Sequence, residues 1–151
     1  MSNLIDDEMR KWIGREDPEV RMEVTRRDIV KYAIATEQQQ EKYLRGDEAP
    51  PMFLFAADRP LRALDELGPD GLPTDGMGPP LPLKRVMAGG TKQRYYRAIK
   101  AGDVLILKRK LTDMFEKQGS SGPLIFLEYL ITVTTEDGEL VLEETMRRIN
   151  R

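Results

Sequence analysis

Nine basic residues stand between positions 84 and 110 (Lys84, Arg85, Lys92, Arg94, Arg97, Lys100, Lys108, Arg109 and Lys110), opposed by Asp103 alone. In a chain whose net charge is −2, such a run marks either a site for a phosphate-rich ligand or the solvated face of strands. Tyr95 and Tyr96 lie inside it, a pattern that also fits stacking on single-stranded nucleic acid. A sequence pI of about 5.4 argues against that reading, and no nucleic-acid partner is expected. The adjacent carboxylates Asp6/Asp7, Asp65/Glu66 and Glu143/Glu144 point in different directions in regular structure, so they read as surface charge rather than acid/base pairs. Ala88-Gly89-Gly90 lacks the spacing of a nucleotide-binding loop; bending a strand, or letting a ligand approach the backbone, is the reason for it.

What is missing narrows the chemistry further. The chain has no histidine and no cysteine, which removes the Ser-His-Asp triad, the imidazole base, the thiolate nucleophile, the disulfide and the usual zinc and iron–sulfur ligands. No metal or cofactor is expected, and any catalysis by this chain alone rests on Asp, Glu, Lys, Arg, Tyr, Ser or Thr. The acidic amino terminus, Met1 to Glu8, has no apolar h-region, and no apolar run approaches the roughly 18 residues of a membrane span. A cytoplasmic protein without membrane association is the expectation.

With 151 residues, 40% hydrophobic and 33% charged, the chain has material for one core and reads as one domain, residues 1–151. Ile5, Met9, Trp12 and Ile13 are at helical spacing. Thr25 with Asp28 forms an Asp variant of the capping box, opening a helix from Arg26 to about Gln39 that aligns Ile29, Tyr32, Ala33 and Thr36. Ala49-Pro50-Pro51 introduces residues 52–57, apolar on every side, which read as a helix that must be surrounded by protein. A strand is the alternative there, though β-branched residues are missing. Leu61, Leu64 and Leu67 follow at spacings of three. Residues 68–83 are rich in glycine and proline and read as an ordered lid or interface loop anchored by Leu72, Met77, Leu81 and Leu83. Beyond Arg85 the period becomes two. Strands are expected over residues 91–99, 104–117, 124–135 and 139–150, with turns at Ala101-Gly102-Asp103, Gly119-Ser120-Ser121-Gly122 and Glu136-Asp137-Gly138. Helices first and an antiparallel meander after give an α+β class.

Three stretches together carry a resemblance: Ala49-Pro50-Pro51-Met52-Phe53, Tyr95-Tyr96-Arg97-Ala98-Ile99-Lys100-Ala101-Gly102-Asp103, and Lys117-Gln118-Gly119-Ser120-Ser121-Gly122-Pro123-Leu124. The chain resembles the hot-dog fold of MaoC-like (R)-specific enoyl-CoA hydratases, and within it the FAS1-like dehydratase amino-terminal half, including mesaconyl-C4-CoA hydratase-like proteins. Trp12-Ile13-Gly14-Arg15, Glu66 to Pro73 and Pro80 to Gly90 extend the likeness over nearly the whole chain. The resemblance implies an antiparallel sheet wrapped around a central apolar helix, pairing of two such folds into a continuous sheet, and an acyl-CoA substrate.

The family's catalytic signature follows a Tyr-Ala helix and reads approximately Tyr-Ala-x-x-x-x-Asp-x-Asn-Pro-x-His. Tyr32-Ala33 matches, but Gln38 stands for the Asp, Gln40 for the Asn, Glu41 for the Pro and Tyr43 for the His. Glutamine is no carboxylate base, and a tyrosine hydroxyl, with an ordinary pKa of about 10, is a poor substitute for imidazole. The resemblance therefore implies a non-catalytic subunit of a heteromeric enoyl-CoA hydratase or 3-hydroxyacyl-CoA dehydratase, pairing with a MaoC-like subunit in a heterodimer or heterotetramer. With the chain ending at Arg151, the second half is expected on another polypeptide. Met52, Phe53 and Phe55 would shape the acyl pocket, and Arg85, Lys92, Arg94 and Arg97 would meet CoA phosphates or form interface salt bridges. The alternatives are an acyl-CoA-binding protein without turnover and a homo-oligomeric hot-dog thioesterase. The latter needs a carboxylate in an apolar pocket, with Glu37, Glu41 or Glu128 as the choices. Glu128 lies between Phe126 and Leu130 on one strand face, where a cross-strand partner for Lys or Arg is the plain alternative.

Overall fold

The computed structural model describes residues 4–57, 61–71, 73 and 78–151. Five strands, β1 (Val20–Glu23), β2 (Val86–Tyr95), β3 (Val104–Gly119), β4 (Gly122–Thr135) and β5 (Leu140–Asn150), form one antiparallel sheet in the order β1-β3-β4-β5-β2. The β3–β4–β5 meander has its turns where glycine demands them, Gly122 and Gly138 lying at positive φ. Two placements depart from local expectation. β1 pairs with β3 although its alternation, Val20 and Met22 against Arg21 and Glu23, lasts only four residues and leaves Val20 exposed and Met22 half-buried. β2 lies beside β5 rather than β3, so the strand expected to run to Ile99 stops at Tyr95 and the chain crosses the sheet end before β3 begins.

Gly89 and Gly90 make that β2–β5 pairing possible. The register slips between Ala88 and Gly90, a bulge with Gly90 at φ 110. A Cβ on Gly89 would stand 2.8 Å from Arg147 Cγ and 3.0 Å from Arg147 O.

One sheet face, called inner here, carries the core. Leu105, Leu107, Ile131, Val133 and Leu142 pack under two helices, α2 (Arg26–Ala35) and α4 (Phe53–Ala57). From α2 come Ile29 and Ala33, both fully buried, and from α4 come Phe53 and Leu54 at 1% and 2% exposure. Tyr32 meets Phe53 edge to face with ring centroids 5.7 Å apart. Toward the other end, Leu111, Met114, Ile125, Leu127 and Tyr129 are covered by Ile5, Met9 and Trp12 around α1 (Asp7–Arg10) and by Leu81 and Leu83. Met146 joins the two clusters. The expected anchors Leu81 and Leu83 are thus in place, while Leu72 and Met77 lie outside the described residues.

The helices are shorter than their patterns. Thr25 caps α2, its hydroxyl accepting from Asp28 N–H; the Asp28 carboxylate accepts from that hydroxyl rather than from the Thr25 N–H that a capping box uses. The helix then ends at Ala35 rather than Gln39. Glu37 turns left-handed at φ 54, and Gln38 N–H reaches Ala33 O while Glu37 N–H reaches Ile34 O, a Schellman stop built without glycine. α4 turns Phe53 and Leu54 into the core, while Phe55 remains 46% exposed. Of the leucines at spacing three, Leu64 opens a 3₁₀ turn, Leu64–Glu66, with Leu67 at its end and Leu61 outside it; Leu61 and Leu64 are exposed. Among the described residues no helix is long and apolar enough to cross a membrane.

Candidate functional site

Alternation along β2 divides its side chains between two environments. Thr91, Gln93 and Tyr95 stand opposite Met146, Glu144 and Leu142 of β5 and share the inner face with them. Lys92 and Arg94, opposite Thr145 and Glu143, lie on the outer face, where Arg94 stacks on the Tyr96 ring at 5.2 Å and the Tyr96 hydroxyl donates to Glu143 at 2.6 Å.

The inner-face row is polar and continuous. Glu144 is only 5% exposed; the Thr91 hydroxyl donates to its Oε1 and Gln93 Nε2 donates to its Oε2 at 3.0 Å. Next along the strand, the Tyr95 hydroxyl donates to Gln93 Oε1 at 3.2 Å and accepts from Met52 N–H at 3.4 Å. Met52, at the start of α4, has a left-handed backbone with φ 68, unusual for a residue with a side chain. Burial pushes the Tyr95 hydroxyl up; the Met52 N–H opposes this, while Glu144, Tyr32 and Tyr43 lie close enough to push it further. Tyr95 therefore keeps its proton at neutral pH and remains a donor. A chain of side chains thus links a buried carboxylate to the first turn of α4, with Thr91 and Tyr95 open to solvent.

The residues singled out in the sequence fare differently. Gln38 is half-buried, its Nε2 on the Thr36 hydroxyl at 3.3 Å. Tyr43, in α3 (Glu41–Leu44), is 8% exposed with Lys42 Nζ 4.9 Å from its ring centroid. Met52 joins the polar chain and Phe55 is accessible, but Phe53 is a core residue and is not a pocket wall.

Arg97 is not free for a phosphate. It grips Asp103 through Nη1–Oδ2 at 2.8 Å and Nη2–Oδ1 at 3.1 Å, bonds Glu139 at 3.2 Å and donates to Ala98 O. Asp103 Oδ2 also accepts from Lys100 N–H, so the Arg-x-Ile-x-x-Gly-Asp element is a clamp around the turn at Gly102, which has φ 93. Burial alone would push the Asp103 carboxyl up, but the Arg97 bonds, the Lys100 N–H and both positive charges outweigh it and hold it below its ordinary value. Lys92 and Arg94 occupy the face opposite Met52 and Glu144, and Arg85 exchanges backbone hydrogen bonds with Arg151 at the start of β2. The four cations therefore do not converge.

Of the carboxylates considered, Glu37 and Glu41 are exposed, and Glu128 bonds Arg147 across β4 and β5, with Nε at 2.9 Å. That cross-strand partnership is the plain alternative for Glu128. Glu144, read from the sequence as surface charge, is the buried one. Its signal was its place two residues after Leu142 and two before Met146, obscured by the neighbouring Glu143. Among the described residues no group of acidic side chains could hold a metal.

Residues 11–144 match the family model of the FAS1-like, dehydratase domain region. The chain belongs to that family. This FAS1-like dehydratase domain is 26% identical over 117 residues to the mesaconyl-C(4)-CoA hydratase of Chloroflexus aurantiacus, covering 77% of this chain and 41% of that protein. It thus spans less than half the length of that relative. Its fold is similar to the ChsH1-ChsH2 complex from Mycobacterium tuberculosis (TM-score 0.65, 19% identity, 89% of this chain and 88% of that one). The HadBC (3R-hydroxyacyl-ACP dehydratase) complex of the same organism is comparable (TM-score 0.64, 16% identity, 92% and 97%). The sheet and its neighbours establish the hot-dog fold.

Proposed function

We propose that this FAS1-like dehydratase domain is the dyad-lacking subunit of a heteromeric (R)-specific enoyl-CoA hydratase or 3-hydroxyacyl-CoA dehydratase, acting in the cytoplasm as one domain over residues 1–151. Its partner is a MaoC-like subunit whose Asp and His activate the water added to, or removed from, the enoyl thioester. This chain supplies a wall of the acyl site from Met52, Phe55 and the inner face of β2.

The observation that carries the reading is the chemistry at positions 38 and 43. A glutamine amide bonded to a threonine hydroxyl and a buried tyrosine ring provide neither a carboxylate base nor an acid of suitable strength. Two similar solved structures are described as complexes, HadBC and ChsH1-ChsH2, which supports a partner subunit. The test is hydration of enoyl-CoA thioesters by this chain alone and copurified with a MaoC-like chain, with turnover expected only in the mixture.

One observation favours a second reading, a carboxylate-dependent acyl-CoA thioesterase: Glu144 is a buried carboxylate in a hydrogen-bonded row that contains a protonated tyrosine. Release of free CoA from saturated acyl-CoA by the chain alone, lost in Glu144→Gln, would select it.

A further inference from the structure

The outer face of the sheet is polar along much of its length, as the solvated face of an antiparallel sheet should be. Two of its cross-strand rows read Lys108-Thr132-Glu143-Arg94 and Lys110-Leu130-Thr145-Lys92. Farther along, the row Phe115-Phe126-Ile149-Met87 is apolar on all four strands. None of these four residues belongs to either core cluster, and α1, α2 and α4 all pack on the opposite face. Phe126 is 9% exposed, Phe115 and Ile149 are half-buried and Met87 is 38% exposed. The fold already has its core on the inner face, so it does not call for this strip. A contiguous apolar strip on an otherwise polar face is characteristic of an interaction surface.

Cations rim the strip on both flanks. On one flank Lys117 Nζ stands 5.3 Å from both phenylalanine ring centroids. Arg85, two residues before Met87, falls on the same flank by alternation, with Arg151 opposite it in backbone pairing. On the other flank, beyond the row Asp113-Glu128-Arg147, lie Lys110 and Lys92. Glu128 is taken by Arg147, and the Asp113 carboxylate accepts from Met114 N–H. Lys117, Arg85, Lys110 and Lys92 are exposed and form no ion pair among the described residues.

An occupant must therefore bring an apolar centre with carboxylates on both sides of it. Strands lie about 4.8 Å apart, so the strip is about 14 Å long, the length of about nine helical residues. A helix about 10–12 Å across lays an apolar stripe along such a strip and holds acidic residues on both shoulders. An extended segment turns every second side chain away and has no shoulders. A second copy of this chain stacked by the same face sets cations against cations. A single-stranded nucleic acid finds no open ring to stack on, because Phe115 and Phe126 stack on each other at 5.1 Å with Lys117 and Arg147 close to both. A subunit paired along the β2 edge extends the sheet sideways and leaves this face uncovered.

We propose that the outer-face strip Phe115-Phe126-Ile149-Met87, with its rim of lysine and arginine, docks an acidic amphipathic helix of another protein. The inference goes beyond the acyl-thioester reading above and does not depend on it.

The test is fluorescence anisotropy of labelled synthetic helical peptides titrated with the full chain. Two peptides of about five turns carry leucine along one face; one has glutamate on both shoulders and the other lysine. The glutamate peptide is expected to bind with a Kd of about 1–50 μM, and the lysine peptide at least about tenfold more weakly. Combining Lys117→Glu with Arg85→Glu, both exposed, weakens the glutamate peptide at least about tenfold. Met87→Asp places a charge in the strip and weakens both peptides, and it serves should the double variant fail to fold. Combining Lys108→Glu with Arg94→Glu makes the same change of charge on the same face away from the strip, and leaves both peptides within about twofold. Equal binding of the two peptides, or no binding of the glutamate peptide, overturns the inference. An equal loss in the control pair traces the binding to net charge and overturns it as well. Two other results assign the strip to a different occupant and overturn it: phosphatidylglycerol vesicles bound through these residues when the peptide is not, and dimerisation of the chain abolished by Met87→Asp.

Discussion

Arg97 and Asp103 meet through two parallel hydrogen bonds, 2.8 and 3.1 Å, across the turn that carries the chain from the end of β2 into β3. Both side chains are mostly buried, at 23% and 17% exposure, so the pair is shielded from water far better than a surface salt bridge. Truncating Arg97 leaves the Asp103 charge without its ion pair, and truncating Asp103 also strips the Lys100 N–H of its acceptor. Arg97→Ala is expected to destabilise the fold by about 2–4 kcal/mol, whereas Lys92→Ala on the solvated face changes it by less than about 0.5 kcal/mol. Urea midpoints of the two variants check this.

The same pair sets an acid limb. The folded Asp103 carboxyl is held below its ordinary value of 3.8, so its contribution is present above that value and is lost as pH falls through the folded pKa. Asp103→Asn is expected to be less stable than the wild type by about 1–3 kcal/mol at neutral pH. The difference narrows as pH drops below about 4. Denaturation at pH near 7 and near 3 measures it; a difference independent of pH would contradict the assignment.

Phe53 and Phe55 sit two residues apart with opposite fates, 1% and 46% exposed. Phe53→Ala opens a cavity under α4 and is expected to cost about 3–5 kcal/mol. Phe55→Ala is expected to cost less than about 1 kcal/mol of stability and to act on acyl-thioester affinity instead. Thermal melts and thioester binding, run on both variants, separate the two effects.

Gly89→Ala places a Cβ against Arg147 and Ile149 of β5. The Arg147 side chain can yield, but its carbonyl at 3.0 Å cannot without moving the strand. A loss of about 1–3 kcal/mol is expected. Amide exchange should show β2 loosening ahead of the β3–β4 hairpin.

Much of the fold is legible where local pattern and tertiary demand agree. Ile125, Leu127, Tyr129, Ile131 and Val133 alternate because β4 is central and its inner face is core, and the glycine turns on either side bound it. β1 is not legible, because the alternation of Val20-Arg21-Met22-Glu23 is only four residues long and, at the sheet edge, buries neither apolar side chain fully. Nor does any local feature say that β2 crosses to β5. That crossing misled the site most: the basic residues read as one patch, yet β2 ends at Tyr95, Arg97 turns inward to Asp103, and Lys92 and Arg94 face away from Met52. That position 38 offers an amide rather than a carboxylate, and that the chain offers no histidine, is readable from residue types alone. The burial of Glu144 needs the register of three strands.

The central claim is that this chain's partner, not this chain, performs the acid/base step. The decisive measurement is kcat for enoyl-CoA hydration by the two-subunit complex in two variant forms. In one, the MaoC-like partner's dyad His is replaced; in the other, Gln38→Ala and Tyr43→Phe are combined in this chain. A loss of at least about a hundredfold in the first, with kcat within about threefold of wild type in the second, is the predicted result. Activity that survives loss of the partner's His but falls with Gln38 and Tyr43 would contradict the account.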